Sequence, residues 1–360
     1  MSQPFLSFGN SILSFGNYIV GGESTGPTLP QYTVRFKFDD TSYDPTASGE
    51  TWKSGSSWSR VSSEPNVWDY YHASDNWIGE FESKFTQSQN YVHVLDSNFT
   101  GVVYTDYPYL FQDCIKLRTA VIRGAQDARK FSFWRCTNLT SCSVYNFRGS
   151  AISMFSDCTS LTDCVLGDFV PTSTSQMFSN ATSLVTAPDF DCASSSDATH
   201  MFYQCSALTS VPDYNFGLTL TNMVGMFSRC TSLANVPSTM ITSNVTNMDE
   251  VCRGTLITAI PSWDTGKVAR FDNAFCNCSA LATIGTLDVS SADDVDSMFE
   301  GCRNVTGGAL AMYTQLSSKT IPPTSHTGTF KYCGSLAAQD APIHAEMAQI
   351  PTTWGGTMAV

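Results

Sequence analysis

Thirteen cysteines carry most of the potential chemistry of this 360-residue chain. Thiolates form disulfides or bind zinc, and Cys276 with Cys278 or Cys136 with Cys142 come nearest to a metal-ligand spacing. No CxxC pair occurs and the five histidines are scattered, so the spacing does not favour zinc. We therefore expect no metal and no other cofactor.

Carboxylates are the second candidate chemistry. Asp189 with Asp191, and the group Asp293, Asp294 and Asp296, offer pairs for cleaving a glycosidic bond, and the second group offers oxygen ligands for calcium. Asp also favours turns, and the second group lacks the glycine and the terminal glutamate of an EF-hand loop. No glycine-rich phosphate loop, GxSxG or HExxH occurs. The sequence predicts no catalytic residues, with a glycan depolymerase as an alternative.

The cysteines recur because the chain is repetitive. A Met or aromatic pair, then a cysteine, then a leucine is written ten times between Leu110 and Leu336, in steps of 22 to 25 residues with a last step of 31. Such a period is typical of segments that stack on their neighbours. Small residues replace two cysteines, which indicates a packing position with buried free thiols. The cysteine positions are Cys114, Cys136, Cys158, Ala181, Cys205, Cys230, Gly254, Cys278, Cys302 and Cys333.

The repeats predict an α/β solenoid of the leucine-rich-repeat type, with about ten coils of 22–25 residues. Each coil would hold a short helical turn over the Met-Phe segment and then a short strand. Irregular coils are expected where Val251 replaces Phe and Gly254 replaces Cys, and before Cys333. The predicted domains are an extended N-terminal docking segment (1–30), a small β-rich head (31–100), the solenoid (101–308) and degenerate last coils with a C-terminal cap (309–360).

Two segments carry a family resemblance. Residues 221–233 (TNMVGMFSRCTSL) and 263–268 (WDTGKV) resemble the BspA-like leucine-rich repeats of bacterial and mycoplasma surface proteins. The resemblance covers roughly residues 100 to 340. It implies a solenoid that serves adhesion or recognition, without a shared active site.

The charge pattern limits the partners. The net charge is −13, and no Lys or Arg occurs between Arg148 and Arg229. A surface without cations cannot neutralise phosphates, so we expect no nucleic-acid partner, and the sequence has no apolar run long enough for membrane insertion.

The first residues write Leu-Ser-Phe-Gly-Asn twice and lack the features of a secretory signal. A surface-type repeat without an export signal resembles the build of gut-phage tail or fibre proteins, which predicts a virion location, with the bacterial cell surface as the alternative. Residues 1–22 would then dock onto other virion proteins by adding strands, and a simple hairpin is the other interpretation. The candidate docking residues are Leu6, Phe8, Ile12, Leu13 and Phe15.

Aromatic residues are dense in the predicted head. Their faces could stack sugar rings, or they could build a small core. The candidate glycan contacts are Trp52, Trp58, Trp68, Tyr70, Tyr71 and Trp77.

Together these features predict a non-enzymatic phage virion protein that recognises a host-surface glycan or protein. The alternatives are a structural decoration of the particle without a receptor, a bacterial surface adhesin and the depolymerase. Self-association into a homo-oligomer is left open.

Overall fold

A computed structural model describes residues 14–15, 18–19, 29–30, 33–47, 56–72, 81, 92–98, 110–124 and 132–357. The α-helices in these residues are α1 (Ala309–Ser317) and α2 (Pro342–Met347), and Gly217–Thr219 and Thr352–Trp354 form single 3-10 turns. The strands are β1 (Ser14–Phe15), β2 (Tyr18–Ile19), β3 (Thr33–Phe38), β4 (Ser56–Arg60), β5 (Val67–His72), β6 (Val92–Asn98), β7 (Leu117–Arg123), β8 (Ser141–Ser150) and β9 (Asp163–Ser173).

Seven of these strands form one mixed sheet in the order β4-β5-β3-β6-β7-β8-β9. The pairs from β4 to β6 are antiparallel, and the pairs from β6 to β9 are parallel. β3 lies inside the sheet, and its Val34, Phe36 and Phe38 are fully buried because alternate side chains of a strand share one face. β1 and β2 pair separately as a two-stranded hairpin.

The predicted α/β solenoid of the leucine-rich-repeat type is wrong, because the regular structure is this single mixed sheet with very little helix. The Met-Phe segments expected to form helical turns contain a left-handed residue at every fourth position, as at Gln176 and Asn180. Left-handed residues interrupt an α-helix. Alternate backbone N–H groups also donate to carbonyls of the next segment, as the Phe155 N–H does to the Met177 carbonyl at 2.8 Å. A helix would need those donors for its own carbonyls.

The repeat appears instead as a stack of phenylalanine rings. Consecutive centroids lie 5.0 to 6.0 Å apart, and the ring planes differ by at most 19°. These spacings suit aromatic contact, and every ring in the stack is fully buried. The first run comprises Phe81, Phe111, Phe133, Phe155, Phe178, Phe202 and Phe227, and a second comprises Phe275, Phe299 and Phe330.

The stack is interrupted at Cys252, and the structure corrects the sequence alignment there. The N–H of Phe227 donates to the Val251 carbonyl, and that of Cys252 donates to the Ala274 carbonyl, so Cys252 occupies the Phe position. Thr255, fully buried, consequently occupies the cysteine position. Gly254 instead has the left-handed conformation that precedes this position elsewhere. The alignment with Val251 as Phe and Gly254 as Cys is therefore wrong by one residue.

The long step before Cys333 accommodates α1. Its N-cap residue is Gly308, with a φ of 99°, and a Cβ at that position would lie 2.2 Å from the Ile284 carbonyl oxygen. Only glycine allows this close approach. After this step the repeated leucine is no longer buried, since Leu336 is 65% exposed.

All thirteen cysteines are free thiols, and Cys164 alone is not fully buried. Each thiol at the repeated position donates to a carbonyl of the preceding segment, as Cys158 Sγ does to Phe133 O at 3.1 Å and Cys205 Sγ to Phe178 O at 3.0 Å. Burial raises the pKa of both thiols well above the usual value, so they stay protonated donors. The cysteine therefore acts as a small apolar residue that also donates one hydrogen bond.

The first prediction concerns the ring stack. Phe178→Ala should lower the free energy of unfolding by about 3–5 kcal/mol, because it removes a ring packed between two others. Urea denaturation followed by circular dichroism measures this change. The exposed Leu218 provides the control, and Leu218→Ala should change stability by about 0.5 kcal/mol or less. Equal effects of the two substitutions would contradict the stack as a stabilising element.

The second prediction concerns the thiols. In the folded protein at pH 8, Cys158 and Cys205 should react with an aromatic disulfide reagent far more slowly than in urea, because only an accessible thiolate is nucleophilic. Peptide mass mapping after timed labelling identifies the modified residues. Rapid labelling of Cys158 in the folded chain would contradict the prediction, because it would show that a thiol at the repeated position is accessible to solvent.

Candidate functional site

The candidate site is a surface formed by six turn segments of eight residues, which we call the turn face. They are residues 197–204, 222–229, 247–254, 270–277, 294–301 and 325–332. Parallel bridges join the first residues of adjacent segments, from Asp197 through Asn222, Asn247, Arg270 and Asp294 to Ser325. Equivalent residues of the six segments therefore lie in rows across one surface.

Backbone hydrogen bonds fix the spacing of these rows. Each neighbouring pair of segments shares four of them, donated by every second residue. Between the first two segments the donors are Ala198, His200, Phe202 and Gln204, at 2.7 to 3.0 Å from their acceptors. The rows are consequently held at about the 4.8 Å spacing of paired strands. Asx turns add local rigidity, since the Asp197 carboxylate accepts from the Thr199 N–H at 2.9 Å.

The inward and outward positions of the turn face differ in how uniform they are. The fifth and sixth residues of every segment are buried, and they are mostly Met and Phe. The seventh position shows no such uniformity and carries aromatic, hydroxyl, basic, thiol and acidic side chains in turn. In segment order its residues are Tyr203, Ser228, Arg253, Cys276, Glu300 and Lys331. Ser228 and Cys276 are buried, and the other four side chains reach solvent.

The electrostatics of the turn face are dominated by acids, with seven carboxylates and four cations. Arg270 is the central cation, with Nε 2.8 Å from Asp249 Oδ2 and Nη2 3.2 Å from Asp294 Oδ2. Asp272 has no such cation. Burial, and then the charges of Asp294, Asp249 and Asp296, raise its pKa to about 6. This carboxyl consequently titrates near neutral pH.

The head aromatics pack mainly on each other. Tyr70 is fully buried, and its ring lies 4.8 Å from Trp58, which in turn lies 5.4 Å from Phe36. Trp68 is 7% exposed, while Tyr71 is 42% exposed. Trp52 and Trp77 lie outside the described residues. Among the candidate glycan contacts that the structure describes, Tyr71 has the largest exposed fraction.

The docking segment is described only in part. Phe15 lies in β1, which pairs with β2 through Ser14 with Ile19 and Phe15 with Tyr18. Leu6, Phe8, Ile12 and Leu13 lie outside the described residues, and the docking prediction remains a prediction.

The acidic group at 293–296 is engaged in turns and an ion pair. Asp294 pairs with Arg270, and Asp296 accepts hydrogen bonds from Ser325 and the Thr327 N–H. Within the described part of the chain, no three His, Cys, Asp or Glu side chains come together as a metal site would require. The helices found there are also too short or too polar to cross a bilayer.

Sequence reasoning missed the turn face as a surface. The relevant signal was present, because Asn and Gly tolerate the left-handed conformation and fill half of the turn positions, as at Gly225, Asn273, Asn277 and Gly301. Reading the Met-Phe segment as helical hid the pattern, since a helix has no place for these residues.

Comparison with known proteins gives one match. The family model described as "Mycoplasma protein of unknown function, DUF285" matches residues 143–215 and 211–313. These stretches run from β8 through five of the six turn-face segments and together span just under half of the chain. The match supports the resemblance to repeat-containing surface proteins of mycoplasmas and other bacteria, and it agrees with the bacterial cell surface as the location. A phage tail build and a virion location receive no support from it.

Comparisons with the curated proteins and with the solved structures gave no significant match.

The third prediction concerns Asp272. Since its pKa is raised in the folded state, between about pH 4 and pH 6 the folded chain holds a proton that the unfolded chain has released. Stability from this group is therefore lost as pH rises through that window. Asp272→Asn should remove the loss and make the protein more stable than the wild type at pH 7, as measured by urea denaturation at several pH values.

Asp288 provides a control of opposite sign. Hydrogen bonds from Ser290 lower its pKa, so its contribution is present above the unfolded pKa and is lost as pH falls. Asp288→Asn should therefore reduce stability at pH 7. A wild-type pH profile unchanged by Asp272→Asn would contradict the prediction.

Proposed function

We propose that this protein is a non-enzymatic adhesion protein of the bacterial cell surface, and that the turn face is its recognition surface. The observation that carries the proposal is the contrast between the buried fifth and sixth positions, which are mostly Met and Phe, and the four solvent-accessible seventh positions, which carry one aromatic, one acidic and two basic side chains. Packing favours Met and Phe in most segments, whereas nothing in the stack demands different side chains at the four seventh positions that reach solvent. Diversity on a repeated scaffold is what a recognition surface requires.

The rigidity of the scaffold supports the same function. Four backbone hydrogen bonds between each pair of segments fix the positions from which the outward side chains project before a partner arrives. A preorganised backbone loses little conformational entropy on binding, so a shallow surface can bind with useful affinity. A row of sites at constant spacing also suits a partner with several epitopes, for which weak contacts add up.

The family match favours the bacterial cell surface over the virus particle as the location of the protein. The matched residues include most of the turn face, and the resemblance is to surface proteins of bacteria and mycoplasmas. The proposed partner is accordingly a glycan or protein on the surface of a host.

The fourth prediction tests this function with beads coated with the purified chain and applied to host-cell layers. The wild-type chain should retain beads under flow, without releasing new reducing sugar ends. The test variant combines Tyr203→Ser, Arg253→Ser and Lys331→Ser, which converts three seventh positions to the residue that Ser228 already places there. Bead retention should fall by about tenfold or more, the factor expected when about 1.4 kcal/mol is lost.

The matched control is an ion pair elsewhere on the surface. Arg148 and Asp168 approach to 2.7 Å, and both side chains are well exposed. Arg148→Ser with Asp168→Ser should leave bead retention unchanged, since an exposed ion pair contributes about 0–1 kcal/mol to folding. Equal retention by the test variant and the wild type, or wild-type beads that fail to adhere, would refute the proposal. Antibody labelling of intact producing cells checks the location, and failure to label them would refute the cell-surface assignment.

A further inference from the structure

We propose that Arg229 and Tyr203 form a subsite of the turn face for the single carboxylate of an acidic sugar. This inference rests on the proposed function and specifies the class of ligand. The subsite lies between the first two turn-face segments, because Tyr203 belongs to residues 197–204 and Arg229 to residues 222–229.

Arg229 is the one cation of the turn face that lacks an acidic partner. Its side chain is exposed, and no carboxylate within the described residues lies within 4.0 Å of its guanidinium. It also follows a stretch, from Arg148 onward, without any intervening Lys or Arg. The other three cations are paired: Arg253 with Glu250 at 3.1 Å, Arg270 with Asp249 at 2.8 Å, and Lys331 with Glu300 at 3.0 Å.

Aromatic rings support this guanidinium. Its central carbon lies 5.8 Å from the centroid of the Tyr203 ring, and the His200 ring meets Tyr203 edge to face at 5.0 Å. A guanidinium held against an aromatic ring is restricted in orientation while its donors stay available. The backbone adds to the restriction, since the Arg229 N–H donates to the Arg253 carbonyl at 2.7 Å.

A glycine makes room for the aromatic pair. Gly225 lies beside His200, and a Cβ on it would come within 2.3 Å of His200 Cδ2. Its φ of 57° also favours glycine, whereas the equivalent residues Glu250 and Asn273 carry side chains with the same backbone conformation. The imidazole therefore packs over the position of Gly225 and against Tyr203.

The chemistry of the subsite suits a sugar that carries one carboxylate. Guanidinium groups bind carboxylates through two parallel hydrogen bonds, and a tyrosine ring contacts the apolar C–H groups of a sugar. The Gln204 amide, whose Nε2 lies 3.4 Å from the Tyr203 hydroxyl, adds a polar group for sugar hydroxyls. A peptide with many acidic residues is disfavoured, because the seven carboxylates of the turn face would repel it. A ligand with a single carboxylate is repelled much less than such a peptide, and its one charge can pair with Arg229.

The experiment uses the full chain and two simple probes, the methyl glycosides of glucuronic acid and of N-acetylneuraminic acid. Their methyl esters, which lack the charge, serve as ligand controls. Ligand-observed NMR and calorimetric titration give the dissociation constants. At least one acid should bind the wild type about tenfold or more tightly than its ester, and the difference should shrink as salt is raised.

Two arginine variants locate the site. Arg229→Gln should weaken binding of the acid about tenfold or more and remove the preference for acid over ester. Arg148→Gln is the matched control, since this arginine lies outside the turn face and is paired with Asp168 at 2.7 Å, and it should change the dissociation constant by about twofold or less. Tyr203→Ala should weaken both acid and ester, because it removes the ring that contacts the sugar.

Three outcomes would overturn the inference. They are equal binding of acid and ester by the wild type, equal losses in Arg229→Gln and Arg148→Gln, and no binding of either acid up to about 10 mM. Tighter Arg229-dependent binding of a hexaglutamate peptide than of either sugar would assign the site to acidic peptides instead. The bead assay separates the two proposals. If wild-type beads adhere but the chain binds neither sugar acid, the subsite is refuted and the adhesion function is retained. If the chain binds a sugar acid but the beads do not adhere, the adhesion function is refuted and the subsite is retained.

Discussion

The hydrogen bonds between successive turn segments are the interaction on which the rest of the structure depends. Every second N–H of a segment points along the stack to a carbonyl of the next segment, four times per junction in the turn face. This pattern satisfies backbone groups that neither a helix nor a long strand satisfies here, and buried backbone groups must be satisfied. It also sets a constant repeat distance, which brings the phenylalanine rings into contact at 5.0 to 6.0 Å.

The buried side chains follow from that repeat distance. A flat ring suits a spacing of this size in each layer, and a cysteine fills the small space beside it while its thiol donates to the preceding layer. Cys252 at the Phe position and Thr255 at the cysteine position show that the stack tolerates a layer without its ring and without its thiol. The chemistry of the cysteines is thus packing chemistry, and burial raises the pKa of the Cys205 and Cys278 thiols.

In the proposed function, recognition depends on the side chains that the stack leaves exposed. The turn face combines a mostly acidic surface, a carboxyl group that titrates near neutral pH at Asp272, and the unpaired guanidinium of Arg229. Such a surface repels polyanions while it retains one defined place for a single negative charge. Selectivity of this kind arises from the arrangement of a few charges on a rigid frame.

The sequence by itself determined the repeat, its buried Met, Phe and Cys positions, the small residue at Ala181 and the resemblance to bacterial surface repeats, because periodic burial imposes a periodic pattern on the chain. It did not determine the secondary structure of the Met-Phe segment, since residues at four-residue spacing suit a helix and a left-handed turn alike. Only the tertiary structure decided between them, because the hydrogen bonds that favour the turns are made to neighbouring layers. Three other features depend on contacts between layers for the same reason, and only the tertiary structure shows them. They are the register at Cys252, the insertion of α1 and the contact of Tyr203 with Arg229.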